Sequence, residues 1–165
     1  MDNYIMIDGK KIPLTDEQVK MLKDTEEAKK SPFERLKCAE RYYFIDAKGD
    51  VGSTDDFYAD ADNDLYSVAN YCTDKELMEQ RALHETLNRL LWRFSMENGE
   101  EENKWDCKND HYEMYWSCSS ESFEVCRSSH AKSLHSVYFP TKKLAQCAID
   151  EIIKPFIEEH PDFVW

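Results

Sequence analysis

Glycine and proline are scarce, four and five among 165 residues, and no apolar run approaches the roughly 18 residues that a membrane-spanning helix needs. The first scarcity excludes a collagen-like, low-complexity or linker-dominated chain, and the second argues against a membrane span. Cysteine is present but never as a C-x-x-C pair: Cys38, Cys72, Cys107, Cys118, Cys126 and Cys147 stand apart. Scattered thiols of this kind suit a reducing compartment better than a disulfide framework. No G-x-G-x-x-G and no G-x-x-x-x-G-K-[ST] loop occurs, so neither backbone cradle for a nucleotide phosphate is present. The serines around His130 and His135 (Ser117, Ser119, Ser120, Ser128, Ser129) lack a G-x-S-x-G elbow and read as turn residues. Asn88 stands where an H-E-x-x-H zinc site begun at His84-Glu85 would need its second histidine. The opening MDNYIMIDGKK has no signal-peptide pattern, and a cytoplasmic protein without catalytic residues is expected.

What the chain does hold is aromatic residues, 13%, and charge, 33%, with a net charge of −13. Aromatic content at that level argues for a folded core despite the charge. The acid is segregated. Residues 46–64 hold seven Asp against one Lys, residues 96–106 hold four Glu and one Asp against one Lys, and residues 150–165 are again acidic. Between the first two lies a stretch, 74–95, in which acid and base balance. Such a surface repels nucleic acid and draws a basic partner over about one Debye length, ~8 Å at physiological salt.

That balanced stretch carries the strongest periodicity in the chain. Leu77, Leu83, Leu87, Leu90, Leu91 and Phe94, flanked by Met78 and Thr86, recur at steps of three and four, which predicts a core helix over 74–98. Thr73 with Glu76 reads as its capping box and Asn98-Gly99 as its stop. Upstream, Tyr4 to Ile12 reads as a hairpin turned at Asp8-Gly9, and Thr15 with Gln18 caps a short helix that extends to about Lys30. Arg41 to Asp46 reads as a strand that turns back at Lys48-Gly49-Asp50 into Val51. Residues 52–64 read as an acidic turn region, and Leu65 to Tyr71 as a strand. Downstream, Tyr112 to Ser117, Ser122 to Arg127 and Leu134 to Phe139 read as strands joined by serine-rich turns. A last helix over 141–159, capped by Thr141, carries the stripe Leu144, Ala145, Ala148, Ile149, Ile152, Ile153 and Phe156, with Pro155 expected to kink or end it. The tail from Pro161 is expected to dock through Phe163 or Trp165.

The chain also echoes itself. Tyr71-Cys72-Thr73-Asp74-Lys75-Glu76-Leu77 resembles Tyr138-Phe139-Pro140-Thr141-Lys142-Lys143-Leu144, each a strand end in aromatic surroundings followed by a capped helix. The expected fold is α+β, antiparallel sheet packed against two main helices. An N-terminal hairpin and short helix (1–31) precede the α+β domain (32–165), which is either one unit or two meander-then-helix units, 32–99 and 100–165.

Three clusters carry possible site chemistry. Asp60-x-Asp62-x-Asp64 opens like a calcium-binding EF-hand loop, but Leu65 stands where glycine is needed and Tyr71 where a bidentate glutamate is needed. Cys118, Cys126, His130 and His135 are zinc-ligand types, yet lack the close cysteine pair of zinc fingers. No metal and no cofactor is expected. The third cluster is the acid itself: Asp55, Asp56, Asp60, Asp62 and Asp64, with Tyr58 as an aromatic anchor and Glu100, Glu101 and Glu102 as a second patch. Carboxylates so placed can imitate phosphates in a groove built for nucleic acid, with aromatics supplying contact area.

YYFIDAKGDV (42–51), the acidic stretch after it, NYCTDKELMEQ (70–80), LHETLNRLLWRFSMENG (83–99) and VYFPTKKLAQCAIDEI (137–152) together resemble a group of small acidic proteins of phages and prophages of clostridia and related Firmicutes. The likeness covers about residues 13–160 and carries over no catalytic residue. Phage proteins of this size and charge include anti-CRISPR inhibitors. The resemblance therefore implies a non-enzymatic, phage-encoded inhibitor in the host cytoplasm. Its expected partner is a host nucleic-acid-binding protein such as a CRISPR effector nuclease, with no direct nucleic-acid or membrane binding. The alternatives are a phage protein that sequesters a small-molecule signal or a metal, and an accessory protein of phage replication.

Overall fold

A 24-residue helix that contributes side chains to two hydrophobic cores organises the molecule. The computed structural model of the chain describes residues 4–7, 10–19, 31–99, 108–133 and 136–164. In chain order the elements are β1 (Tyr4–Ile7), β2 (Lys10–Pro13), β3 (Arg41–Ile45), β4 (Val51–Asp55), α1 (Asp60–Ser67), α2 (Lys75–Asn98), β5 (His111–Ser117), β6 (Ser122–Ser128), α3 (Lys142–Ala148), a π-helical turn (Ile149–Ile153) and α4 (Lys154–Glu159). The fold is α+β. Each sheet is an antiparallel pair, β1-β2, β3-β4 and β5-β6, and the second and third pack against helices. No helix among the described residues is long and apolar enough to cross a membrane.

Local chemistry sets the turns and caps. Thr15 and Gln18 form the reciprocal capping box that their spacing predicts, Gln18 N–H donating to Thr15 Oγ1 (3.2 Å) and Thr15 N–H to Gln18 Oε1 (3.0 Å). The rest of that helix lies outside the described residues, as does the Asp8-Gly9 turn. In the β3-β4 hairpin the Asp46 carboxylate accepts the N–H groups of Lys48, Gly49 and Asp50, and Gly49 takes the left-handed φ of 97° that the turn requires. The N-cap of α2 is Asp74, one residue beyond the expected Thr73, and its carboxylate accepts from Leu77 N–H (3.1 Å). The buried line of α2 also differs from the expected stripe: Met78, Ala82, Leu87, Leu91 and Ser95 are buried, whereas Leu77 is exposed.

Two cores share that helix. Met78 and Ala82 join Ile45 and Cys72 beneath β3-β4. Leu87 and Leu91 join Phe139, Ala145, Ala148, Ile149, Ile153, Phe156 and Phe163, with Leu83, Leu90 and Phe94 packed alongside. The last helix runs unbroken from Lys142 to Glu159 through the π-helical turn, which places Pro155 in the first turn of α4. Proline has no N–H to give and crowds the preceding turn; the wider π spacing directly before it accommodates both, and the helix continues past Pro155 to Glu159.

The sequence echo has a structural counterpart. The strand expected over Leu65–Tyr71 is absent. Residues 60–67 are helical, and what remains of a third strand is one bridge, Cys72 to Tyr43. Asn70 reinforces it by accepting Ile45 N–H and donating to Ile45 C=O through its side-chain amide, both at 2.8 Å. In the second half, likewise, the strand expected over Leu134–Phe139 shows among the described residues only one bridge, Phe139 to Tyr112; residues 134–135 lie outside them. Asp74 then caps α2 through Leu77 N–H, and Thr141 caps α3 through Leu144 N–H, both at 3.1 Å. Hairpin, single bridge, cap and helix recur in the same order.

Candidate functional site: an acidic and aromatic edge on a buried ion pair

The acidic stretch begins at the end of β4 and runs into α1. Asp55, the last residue of β4, lies near the surface and pairs with Arg41 across the hairpin at 3.0 Å. The chain then turns inward. Asp56 is fully buried; Arg35 Nη2 donates to its carboxylate at 2.8 Å while Nε lies 2.5 Å from the other oxygen, and the carboxylate also accepts Tyr71 O–H and Tyr58 N–H, both at 2.8 Å. Its backbone is tied as well: Asp56 N–H donates to Glu40 C=O and Ala39 N–H to Asp56 C=O. A charge with so many partners in fixed geometry is the condition under which burial is tolerated. Burial alone would push the Asp56 carboxyl up, but hydrogen bonds from Arg35, Tyr58 and Tyr71 and the Arg35 charge outweigh it and hold the group below the ordinary carboxylate range.

Arg35 is enclosed in turn. Its guanidinium carbon lies 5.2 Å from the ring centre of Tyr58, 5.1 Å from Tyr66 and 5.5 Å from Tyr71. Cation–π attraction on three sides adds to the ion pair and leaves the side chain 20% exposed. Tyr71 stacks on Tyr42, centroids 4.1 Å apart, and burial pushes its hydroxyl up to about 12. Tyr42 donates to the second buried carboxylate, Asp62 Oδ1, at 2.8 Å, while Asp62 Oδ2 accepts the N–H groups of Phe57 and Ala59 at 3.0 Å each. The Tyr42 hydrogen bond, then the two backbone N–H groups, lower the Asp62 carboxyl against the opposing effect of burial.

This is why the aspartates start a helix. Asp62 reaches back to the N–H of Ala59, the N-cap of α1, and Asp60 and Asp62 place negative charge in its first turn, where unpaired N–H groups favour it. On a helix, alternate residues point in different directions, so Asp60, Asp62 and Asp64 do not converge as in a calcium loop. Among the described residues no group of three or more His, Cys, Asp or Glu is placed to hold a metal ion. Ala69, at φ 57°, ends the α1 segment, and its carbonyl accepts from Arg81 of α2.

The expected site residues therefore divide. Asp56 and Asp62 are turned in and form the frame. Asp60 and Asp64 are exposed on α1, and Asp55 borders them. Glu100, Glu101 and Glu102 lie outside the described residues. Tyr58 is 49% exposed, at φ 59°, and its hydroxyl donates to Leu36 C=O at 3.1 Å. Beside it Phe57 is 63% and Tyr66 40% exposed. The result is a row of aromatic faces next to the exposed carboxylates of Asp60 and Asp64, held by a network that the spacing of the acidic residues does not announce. Arg35, Tyr42 and Tyr71 were not singled out from the sequence; the signal available was a run of tyrosines flanking an acidic stretch with an arginine upstream.

The two lowered carboxyls give stability a direction in pH. Their contribution is present in full above the unfolded aspartate value of about 3.9 and is lost as pH falls through the lower folded values. Thermal midpoints measured from pH 7 to 2 are expected to stay level above about pH 5 and then fall, with a smaller fall relative to its own neutral-pH value in Arg35→Ala, where burial without the counter-charge raises the Asp56 carboxyl and its protonation no longer costs stability.

Comparison with known proteins finds no matching family, no matching curated sequence and no matching solved structure.

Proposed function

We propose that the protein is a non-enzymatic inhibitor of the anti-CRISPR kind, which lays the edge formed by Asp55, Phe57, Tyr58, Asp60, Asp64 and Tyr66 into a basic groove of a host nucleic-acid-binding protein. The observation that carries the reading is the exposure of Phe57, Tyr58 and Tyr66 beside the exposed carboxylates of Asp60 and Asp64, with Asp55 paired to Arg41 at their margin, on a frame locked by the Arg35–Asp56 ion pair. Aromatic side chains supply desolvated contact area at interfaces, carboxylates supply attraction to arginine and lysine, and a fixed frame removes the ordering cost of binding. The net charge of −13 favours a basic protein partner over nucleic acid itself.

Capture from a host lysate identifies the partner, and two variants test the surface. Asp60→Lys with Asp64→Lys is expected to weaken binding at least tenfold, about 1.4 kcal/mol, and to flatten its dependence on salt. Tyr58→Ala or Phe57→Ala is expected to cost about 2 kcal/mol as an anchor residue. Retention of full inhibition by the double charge reversal, with unchanged salt dependence, would remove the groove-mimicry reading.

A further inference from the structure

Beyond the end of α4 the chain turns at His160 and lies across α2 in a way that resembles a bound peptide more than a packed element. Gln80 holds its backbone at two points with one side-chain amide: Oε1 accepts Val164 N–H and Nε2 donates to Asp162 C=O, both at 2.9 Å. One helical turn on, His84 Nε2 lies 2.8 Å from Val164 C=O, the distance of an N–H donating to a carbonyl. Only Phe163 is buried, with its ring 4.6 Å from the centre of His84 and 5.5 Å from Phe156, while Pro161, Asp162 and Val164 stay exposed. Three bonds to the main chain and one aromatic in a hole are the means by which a protein recognises an extended segment largely without regard to its other side chains.

The same segment forms one wall of a cleft of about 580 Å3, whose floor includes Val51 and Leu83 and whose rim carries Asp50, Glu79 and Glu159. Asp162, from the resident segment, adds a further carboxylate to that rim. The occupant is thus matched to the groove in shape and mismatched in charge, because Asp162 adds its charge to those of Asp50 and Glu159, whereas Glu79 is paired with Lys75 at 2.5 Å.

We propose that this face of α2 is a peptide-docking groove, filled at rest by residues 160–164, which exchanges them for an extended partner segment bearing an aromatic residue directly after a basic one. The resident segment shows what the groove takes, and the acidic rim shows how a partner would improve on it. The resident is held by Phe163, at the edge of the larger core, and by the three bonds from Gln80 and His84, and a competing segment has to replace both. The groove shares no residue with the edge of the proposed inhibitor surface and stands or falls independently of it.

The test uses the isotope-labelled full chain, with the Gln80 side-chain amide and the His84 ring followed by NMR while pentapeptides are added. Acetyl-HPDFV-amide copies the resident, and acetyl-HPKFV-amide corrects its charge. Saturable shifts at Gln80 and His84 are expected, with the lysine peptide binding at least fivefold tighter and a version with alanine in place of phenylalanine not binding. Phe163→Ala, which weakens the resident competitor, is expected to tighten peptide binding several-fold, and Asp162→Lys, which improves it, to weaken peptide binding. Absence of saturable shifts at millimolar peptide, equal binding of the alanine peptide, or peptide binding that Asp162→Lys leaves unchanged overturns the proposal.

Discussion

Replacing Arg35 by alanine is expected to lower the stability of the protein by about 3 kcal/mol, the cost of leaving a buried carboxylate without its counter-charge. The low end of the usual range applies because Arg35 keeps 20% of its side chain in solvent. Roughly 2–4 °C per kcal/mol for a chain of this size puts the fall in thermal midpoint at about 6–12 °C. Asp56→Leu alone should be as damaging, since it strands the arginine and removes the acceptor for Tyr71 O–H and Tyr58 N–H. Arg35→Met combined with Asp56→Leu should lose less than the two single losses added together, because the pair is then replaced by apolar groups and not broken. Chemical denaturation of Arg35→Met, Asp56→Leu and the double variant measures the coupling. A fully additive result would mean that the ion pair does not hold the loop.

The second large effect is expected at Phe139, which is fully buried in the core around the C-terminal half of α2 and forms the bridge to Tyr112. Phe139→Ala removes an aromatic side chain from a packed interior and should cost about 3–5 kcal/mol. The backbone bonds of the bridge, Phe139 N–H to Tyr112 C=O at 2.8 Å and Tyr112 N–H to Phe139 C=O at 2.9 Å, do not depend on the side chain, so the loss reports packing. Cys72 occupies the corresponding bridge position in the first half, and Cys72→Ala should cost only about 1 kcal/mol because little volume is removed. Equal losses at the two positions would show that they are not equivalent in their cores.

Much of the scaffold could be read from residue spacing. The helices α2 and α3 to α4 follow from apolar residues at steps of three and four, and the hairpins β3-β4 and β5-β6 from alternation bounded by turn residues. The misreadings share a cause, a side chain substituting for backbone. Residues 65–71 look like a strand because Leu65, Tyr66 and Tyr71 are good strand formers, but Asp62 caps a helix there and the amide of Asn70 replaces a third strand's peptide group. Thr73 and Asp74 are both capable caps, and only the geometry separates them. The site was harder to read. An aspartate that faces solvent and one that receives a buried arginine look alike in a sequence, and the partners of Asp56 lie 21 residues before it and 15 after it.

The arrangement of two cores on one rod has a consequence for how the molecule comes apart. Met78 and Ala82 are committed to the first core and Leu87 and Leu91 to the second, yet they lie along a single hydrogen-bonded helix. Fraying from either end reaches the other core within a few turns, and a helix that has lost the partners of one flank gains little from keeping the other. Unfolding of the two halves is therefore expected to be coupled, with a strain placed on one sheet read as a change in the stability of its counterpart.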